Sequence, residues 1–337
     1  MNDRMQQLGN VMFVLAAVGS LAASAGPKSD GAARHDSGKC RPRSNSRIYN
    51  PQGTMLWGTR QEWTEGAPAD ERTSVLVSAT LSGEAGALKL EGGRLVGKSP
   101  VGAVLQGENS AGQKVEVAIC GAEPSAGDPA MVWYRIEAWN PVAEDWENPC
   151  VATGAAPDPR AVVLDGSWDA TGAHRAGPQK ITFACEAGAL AKCVTWGYRP
   201  WAVAGGRSLA DAHQSCTRMV RADYCGDGGS HTRAGTLIDY YDSLGVASRT
   251  TQATATWNPA QAAFEAAWAP DGATCLSRAR DGRTLGDVLT ECPGRFQAGA
   301  VDLGGGDTCV VRRPQAGAAV LRNRSIPQRP AHPPDSN

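Results

Sequence analysis

The chain is organised around two neighbouring runs of sequence, CEAGALAKCVTWGYRPW (185–201) and SLADAHQSCTRMVRADYCGDGGSHTRAGTLIDYYDSLG (208–245). Together they hold four of the ten cysteines, two of the five histidines and two of the ten tryptophans. Arginine and aspartate alternate through the second run. Residues that can form disulfides, act as bases or form ion pairs are therefore concentrated in about a sixth of the sequence.

A helix is predicted inside the second run, from Ser208 to about Asp223. Ser208 is a favourable N-cap residue. The 3.6-residue period of a helix then gives an inward stripe made of Leu209, His213, Cys216 and Val220. On the same period, Arg218 is expected on the opposite side of the helix.

The same region resembles the ADYC domain, a bacterial family named for the motif that stands here as Ala222-Asp223-Tyr224-Cys225. The similarity runs over about 184–247, extends weakly toward Cys292, and rests on KCVTWGYRPW (192–201) and HQSCTRMVRADYCG (213–226). The family is defined by sequence and has no established activity. The resemblance therefore implies a domain and leaves the chemistry open.

The N-terminal sequence has the pattern of a secretory signal peptide. Arg4 precedes a 13-residue apolar run, Val11–Ala23, and small residues stand at Ala23 and Ala25. The run is too short to span a hydrocarbon core of about 30 Å. We expect the signal peptide, residues 1–25, to be cleaved near Ala25 and the protein to be secreted or periplasmic. A flexible linker is expected at 26–46.

The even number of cysteines predicts disulfides, because paired thiols persist in an oxidising compartment. Cys216 is not expected to pair with Cys225, since a helix running to Asp223 would hold their α-carbons more than about 10 Å apart. A disulfide needs less than about 7 Å. Cys185 or Cys193 is the expected partner of Cys216. The candidates for five bridges are Cys40, Cys120, Cys150, Cys185, Cys193, Cys216, Cys225, Cys275, Cys292 and Cys309.

The predicted fold class is a β-rich α+β protein in two parts. Short runs of alternating apolar and polar residues separated by glycines predict an antiparallel meander or small barrel at 47–155. The segment Ala155–Arg160 is the predicted boundary. A disulfide-tied α+β domain with one principal helix is expected at 160–312, with strands at Lys180–Ala184 and Cys193–Gly197. Residues 313–337 are predicted to be a disordered tail rich in proline and arginine.

Charge excludes two classes of partner. The formal net charge is −1 and the isoelectric point is about 6.5, so the chain lacks the basic surface that nucleic acid or an anionic membrane would require. No membrane span and no cofactor are predicted. An extracellular glycan or protein partner remains open.

Four interpretations of the central stretch compete. His213, Cys216, Cys225 and His231 could form a zinc site, although disulfides compete for the same thiols and we predict no metal. A secreted hydrolase would use His231 with Asp223 or Asp227. A glycan-binding protein would stack sugars on exposed tryptophans. The preferred interpretation is an exported, non-catalytic binding or structural module.

A site, if present, is expected where the loop Asp223–Thr232 meets Trp196–Trp201. The candidate binding cluster, with no catalytic residue assigned, is Trp196, Tyr198, Trp201, His213, Arg221, Asp223, Tyr224, Asp227 and His231.

Overall fold

The computed structural model describes residues 35, 37–41, 56–60, 74–82, 87–153, 156–232, 235–314 and 319–326. The chain divides into a first unit, Met1–His35, and a second unit, Asp36–Asn337. Only His35 of the first unit is described, and all the helices and strands given below belong to the second. The predicted signal peptide at 1–25 lies outside the described residues.

The described chain is rich in antiparallel strands, as the alternating sequence pattern predicts. Its elements are, in chain order, β1 Ser78–Thr80, β2 Leu88–Glu91, β3 Arg94–Gly97, β4 Val104–Glu108, β5 Lys114–Ser125, β6 Asp128–Asn140, β7 Asp145–Glu147, β8 Ala161–Asp165, β9 Ser167–Trp168, β10 His174–Arg175, β11 Lys180–Cys185, α1 Ala189–Thr195, β12 Val203–Ala204, β13 Arg207–Ser208, α2 Ala210–Arg221, β14 Ile238–Asp242, β15 Ala263–Ala269, β16 Gly272–Leu276, α3 Leu285–Glu291, β17 Gln297–Asp302, β18 Thr308–Arg312 and β19 Leu321–Ser325.

The first sheet closes on itself as a small antiparallel barrel. Six of its seven strands follow the order β5-β4-β1-β11-β8-β6, β6 pairs back onto β5, and the short β7 pairs with the C-terminal end of β6. Alternate side chains face the interior, where Leu105, Val117, Ile136, Val163 and Phe183 form an apolar core. The sheet contains β8 and β11, so it continues past the predicted boundary at 155–160 and includes residues up to Cys185.

Residues 193–197, predicted as a strand, are helical up to Thr195 instead. Helix α1 buries Leu190, Ala191 and Val194 against the outside of the barrel. This prediction was wrong because a short apolar run is equally compatible with either element. The helix starts where two backbones touch: a β-carbon on Gly188 would lie 2.7 Å from the backbone of Gly58, so only glycine fits.

Helix α2 confirms the predicted principal helix and lies against a second sheet. That sheet has the order β14-β19-β15-β16-β18-β17, and the core between them includes Cys216, Met219, Tyr224 and Trp268. His213 and Cys216 face inward as predicted.

The ends of α2 differ in detail from the prediction. The N-cap residue is Leu209, one position after Ser208. The helix ends at Arg221, and the C-cap residue Ala222 has a left-handed φ of 54° that stops it. Arg218 is buried, contrary to prediction, because backbone carbonyls of Thr171 and Pro270 and the carboxylate of Asp223 lie along that side of the helix.

The prediction of a disordered tail from Arg313 is wrong for Leu321–Ser325, which forms β19 between β14 and β15. Its polar residues are satisfied inside the sheet: Trp268 donates to Asn323 at 2.8 Å, and Arg324 pairs with Asp239 at 2.6 Å. A strand whose buried positions are polar carries no apolar alternation, so the sequence pattern did not reveal it.

All ten cysteines form disulfides, which confirms the predicted five bridges. Cys216 does not pair with Cys225; its partner is Cys193, one of the two residues expected. In the described part of the chain, no helix has the length and apolar character needed to cross a membrane. The five bridges are Cys40–Cys120, Cys150–Cys185, Cys193–Cys216, Cys225–Cys292 and Cys275–Cys309.

Candidate functional site

A cleft of about 640 Å³ lies between the barrel and the layer formed by α2 and the second sheet. One wall comes from the β2–β3 hairpin and the segment from Asp165 to His174. The other comes from Pro200–Trp201, the first turns of α2 and the turn Pro270–Asp271. Clefts of this volume are typical of small-ligand sites.

Trp168 forms part of the barrel-side wall and is held rigidly. It pairs directly across a short hairpin with His174, and their ring centroids lie 4.6 Å apart. Its indole Nε1 donates to Gln214 Oε1 at 2.8 Å, which fixes the ring against α2. The hairpin turn is closed by Asp169, whose side chain accepts from the backbone of Thr171 and Ala173.

Trp201 is the half-buried aromatic residue of the opposite wall. Its six-membered ring lies directly on Gly93, where any β-carbon would clash with the ring. Gly93 also has a φ of 75°, which other residues rarely adopt. The contact between the hairpin and Trp201 therefore depends on a glycine, and it narrows the cleft on that side.

Some charged residues at the cleft form ion pairs and others do not. Arg313 binds Asp271 through two contacts of 2.7 and 2.5 Å and lowers the pKa of that carboxyl. Arg218 is paired with Asp223 at 2.5 Å. Asp165 and Asp211 are exposed and form no ion pair within the part of the chain that the structure describes.

His213 lines the cleft from helix α2 and is only 1% exposed. Its Nε2 lies 3.1 Å from the carbonyl oxygen of Leu190, so Nε2 must carry the proton. Burial lowers the pKa of His213 to about 4, so the ring is neutral at pH 7. Nδ1 is then the nitrogen with a lone pair, and the ring edge is fixed against Trp168 at 5.9 Å.

The loop Asp223–Thr232 is shaped by its own acidic residue and does not line this cleft. Asp223 is fully buried and accepts from the backbone N–H of Gly226 at 2.8 Å and of Gly228 at 3.1 Å. Arg221 donates to Gly228 O at 2.5 Å. Asp227 is exposed and accepts from Gly229 N. The geometry is that of a folded turn anchored to the end of α2.

Tyr224 joins the most polar part of the core. Its hydroxyl accepts from the backbone N–H of Arg280 at 2.9 Å and donates to Glu265 at 3.2 Å. Burial, first, and the charge of Glu265 raise the pKa of Tyr224 well above its ordinary value. The ring stacks on Trp268, with centroids 5.5 Å apart. The tyrosine of the ADYC motif is therefore a core residue.

His231, the base of the hydrolase interpretation, lies at 2.5 Å from Arg283 through Nδ1. Because a guanidinium only donates, Nδ1 accepts and the neutral ring carries its proton on Nε2, which faces Glu291 at 3.6 Å. Burial and then Arg283 lower the pKa of His231. The acidic partners that pair with it are Asp281 and Glu291, not Asp223 or Asp227.

The predicted cluster separates into three places. Trp201 and His213 line the cleft. Trp196 stacks on Tyr240 with ring centroids 4.5 Å apart, and Tyr198 donates to Asp242 at 2.7 Å. Burial first, and then this hydrogen bond, raise the pKa of Tyr198. The third group is the folded turn and its core contacts: Arg221, Asp223, Tyr224, Asp227 and His231.

The zinc arrangement does not form. Cys216 and Cys225 are each oxidised in a different disulfide, with Cys193 and with Cys292. His213 is engaged by Leu190. Among the described residues, Cys40, Cys120 and Glu137 bring three potential metal-binding atoms close together, but the two sulfurs are bonded to each other.

Sequence reasoning missed Asp165, Trp168, His174 and Asp211 as cleft residues. Asp211 could have been found, because it lies two positions before His213 in the first turn of the helix. The others come from a hairpin about forty residues earlier, and only the packing of the barrel against α2 brings them near.

A family model for the ADYC domain matches residues 97–282, which is more than half of the 337 residues. The match is wider than the motif region 184–247: it begins at the end of β3 and includes both walls of the cleft apart from the β2–β3 hairpin. No curated protein and no solved structure matches the chain. The chain therefore belongs to the ADYC domain family.

Proposed function

We propose that this chain is a non-catalytic binding module of the extracellular or periplasmic space, and that its ligand occupies the cleft between the barrel and helix α2. The observation that carries the proposal is the cleft itself, with Trp168 and Trp201 in its walls and polar groups beside them. Concave sites that combine aromatic walls with a few polar side chains are typical of small-molecule binding.

The cleft walls are pre-organised, which lowers the entropy lost on binding. The Cys193–Cys216 bridge ties α2 to α1, and α1 packs on the barrel. The hydrogen bond from Trp168 to Gln214 connects the barrel side directly to the helix.

The hydrolase alternative is less well supported. A general base needs an unprotonated nitrogen within reach of the nucleophile. The free lone pair of His231 is directed to Arg283. Ser230, the neighbouring hydroxyl, has Arg221 O at 3.4 Å. These contacts favour a structural role for the turn over proton transfer.

A glycan-binding protein that stacks sugars on its surface needs exposed tryptophans. Nine of the ten tryptophans belong to the described chain, and all nine are buried or half-buried. They do not form an open stacking surface. A saccharide remains a candidate ligand only through the cleft, where Trp201 retains partial exposure.

The export part of the proposal rests on the bridges. Five disulfides are stable in the extracellular or periplasmic space and are rare in the cytosol. Intact mass measurement of the protein released by its own leader, with cleavage near Ala25 and a loss of ten hydrogens, would test the export and the bridging together.

Binding in the cleft is testable by obstruction. A set of small polar and aromatic compounds would be screened against the purified protein by ligand-observed NMR. Ala210 is exposed at the start of α2 and lines the cleft, so Ala210→Trp places a large ring at the cleft from a position outside the core. Ala143→Trp, on an exposed turn away from the cleft, is the matched control. Hits that are lost in Ala210→Trp and kept in Ala143→Trp support the proposal. Hits that persist in Ala210→Trp, or a screen without any hit, contradict it.

A further inference from the structure

The unpaired charge of the cleft is negative. The basic groups near it already have acidic partners: Arg218 pairs with Asp223, and Arg313 and Arg295 share Asp271. Asp165 and Asp211 have no cationic partner within the described residues. Two like charges in a concave, partly apolar site attract a cation, because low-dielectric walls strengthen the field.

The hydrogen-bonding groups of the cleft are mainly acceptors. Gln214 has its amide engaged at both ends, accepting from Trp168 and donating to Gly172 O at 2.6 Å. Arg218 donates through Nε and Nη1 to protein oxygens. His213, nearly fully buried at the cleft wall, keeps the Nδ1 lone pair, for which no partner exists among the described residues.

We propose that the cleft recognises a primary ammonium group on a small organic molecule. The two free carboxylates and the His213 lone pair are acceptors, and a primary ammonium supplies three N–H donors without a competing acceptor. The half-buried indole of Trp201 adds a face on which a cation or its carbon frame can rest. This inference rests on the proposed function, because it assigns the chemistry of the same cleft.

The volume of the cleft limits which ammonium compounds can bind. A cleft of about 640 Å³ is sufficient for a diamine or one to two sugar rings. Two sources of a primary ammonium therefore fit, an alkyl diamine and an amino sugar. Both share the chemistry that the acceptors would recognise, and they differ in the frame that would contact Trp201.

Matched pairs of probes test the inference. Cadaverine is compared with 1,5-pentanediol, and glucosamine with glucose, by isothermal titration calorimetry at about pH 7, where alkyl amines are protonated. We expect each amine to bind about tenfold or more tightly than its neutral partner, since charge-assisted hydrogen bonds are about twice as strong as neutral ones. Comparing cadaverine with glucosamine identifies the preferred frame. Choline, a cation without N–H donors, should bind more weakly than cadaverine.

Variants connect the preference to the named residues. Asp211→Asn should weaken amine binding by about fivefold to tenfold and reduce its salt dependence, because one charge is removed. Glu144→Gln, an exposed acid on a turn outside the cleft, is the matched control and should change nothing. Ala210→Trp should abolish binding of all probes. Circular dichroism on each variant verifies that the fold is retained.

The outcomes separate this inference from the proposed function. If glucose and pentanediol bind as well as the amines, and Ala210→Trp removes them all, the ammonium inference is overturned and the binding cleft stands. If no amine binds but the broader screen gives hits that Ala210→Trp abolishes, the ammonium inference fails and the proposed binding function of the cleft is retained. If neither the probes nor the screen gives such binding, both proposals fail.

Discussion

Arg280 and Glu265 form a salt bridge of 2.8 Å in which both side chains are essentially inaccessible to water. Arg280 uses its remaining donors on the carbonyl oxygens of Met219 and Val220 at the end of α2. Glu265 also accepts from Asn323 and from Tyr224. The pair therefore ties α2, the motif tyrosine and β19 to one point inside the second sheet.

Breaking this pair should destabilise the fold strongly. Glu265→Gln leaves the Arg280 charge buried without a counter-charge, which costs about 3–5 kcal/mol in comparable cases. Tyr224→Phe removes only two hydrogen bonds of its hydroxyl and should cost about 1–3 kcal/mol. Urea unfolding followed by tryptophan fluorescence measures both; a Glu265→Gln variant as stable as the wild type would refute the assigned role.

Asp223 should matter for stability far more than its neighbour Asp227. Asp223→Ala removes the partner of buried Arg218 and the acceptor of three turn N–H groups, so we expect a loss of about 3–5 kcal/mol. Asp227→Ala, at an exposed position, should stay within about 0.5 kcal/mol. Equal effects of the two changes in denaturant unfolding would contradict a structural role for the motif aspartate.

Acid should weaken the fold partly through His213. Burial lowers its pKa in the folded state to about 4, from an ordinary 6.5. Between these values the unfolded chain binds a proton that the folded chain excludes, so the free energy of unfolding falls as the pH falls through this window. The full effect is about 3 kcal/mol. The pKa of His231 is lowered too, so His231 contributes to the pH dependence of the unfolding free energy with the same sign as His213.

The measurement for His213 is the slope of unfolding free energy against pH. His213→Phe keeps an aromatic ring in the core and removes the titrating group, so its slope between about pH 6.5 and 4 should be shallower, whatever its absolute stability. An unchanged slope would show that His213 is protonated in the folded protein over that range.

Removal of β19 should unfold the second sheet. Ending the chain after Arg313 deletes the strand that lies between β14 and β15 and leaves buried Asp239 without Arg324. We expect loss of cooperative thermal unfolding. A chain ended after Ile326 keeps the whole strand and is the control; a cooperative transition in the shorter chain would show that β19 is dispensable.

Local patterns in the sequence predicted what depends on neighbours in the chain. Alternating apolar and polar residues predicted the barrel strands, and the 3.6-residue stripe predicted α2 with His213 and Cys216 inward. Helix geometry also excluded the Cys216–Cys225 bridge. Failures arose where long-range contacts decide: Arg218 is buried by carbonyls from two distant turns, and β19 is held by polar partners in other strands.

Only part of the candidate site could be predicted from the sequence, because long-range contacts bring the other residues to it. Trp201 and His213 stand in the motif region, so composition drew attention to them. Asp165 and Trp168 join them through packing across two layers, which no local period encodes. The residues that composition marked most strongly, Asp223 and Tyr224, are important to the fold instead of the cleft.

The position of β19 has a consequence for the order of folding. It follows every other strand of its sheet in the chain yet pairs with both β14 and β15, and its partner Ile238 lies 87 positions before Ser325. Contacts this distant are slow to form, because a long loop must close first. A chain that emerges from its N-terminus can therefore close the barrel early, while the layer carrying α2 stays incomplete. Until Leu321–Ser325 has been synthesised, the layer that carries α2 should stay open and sensitive to proteases, although the barrel is already closed.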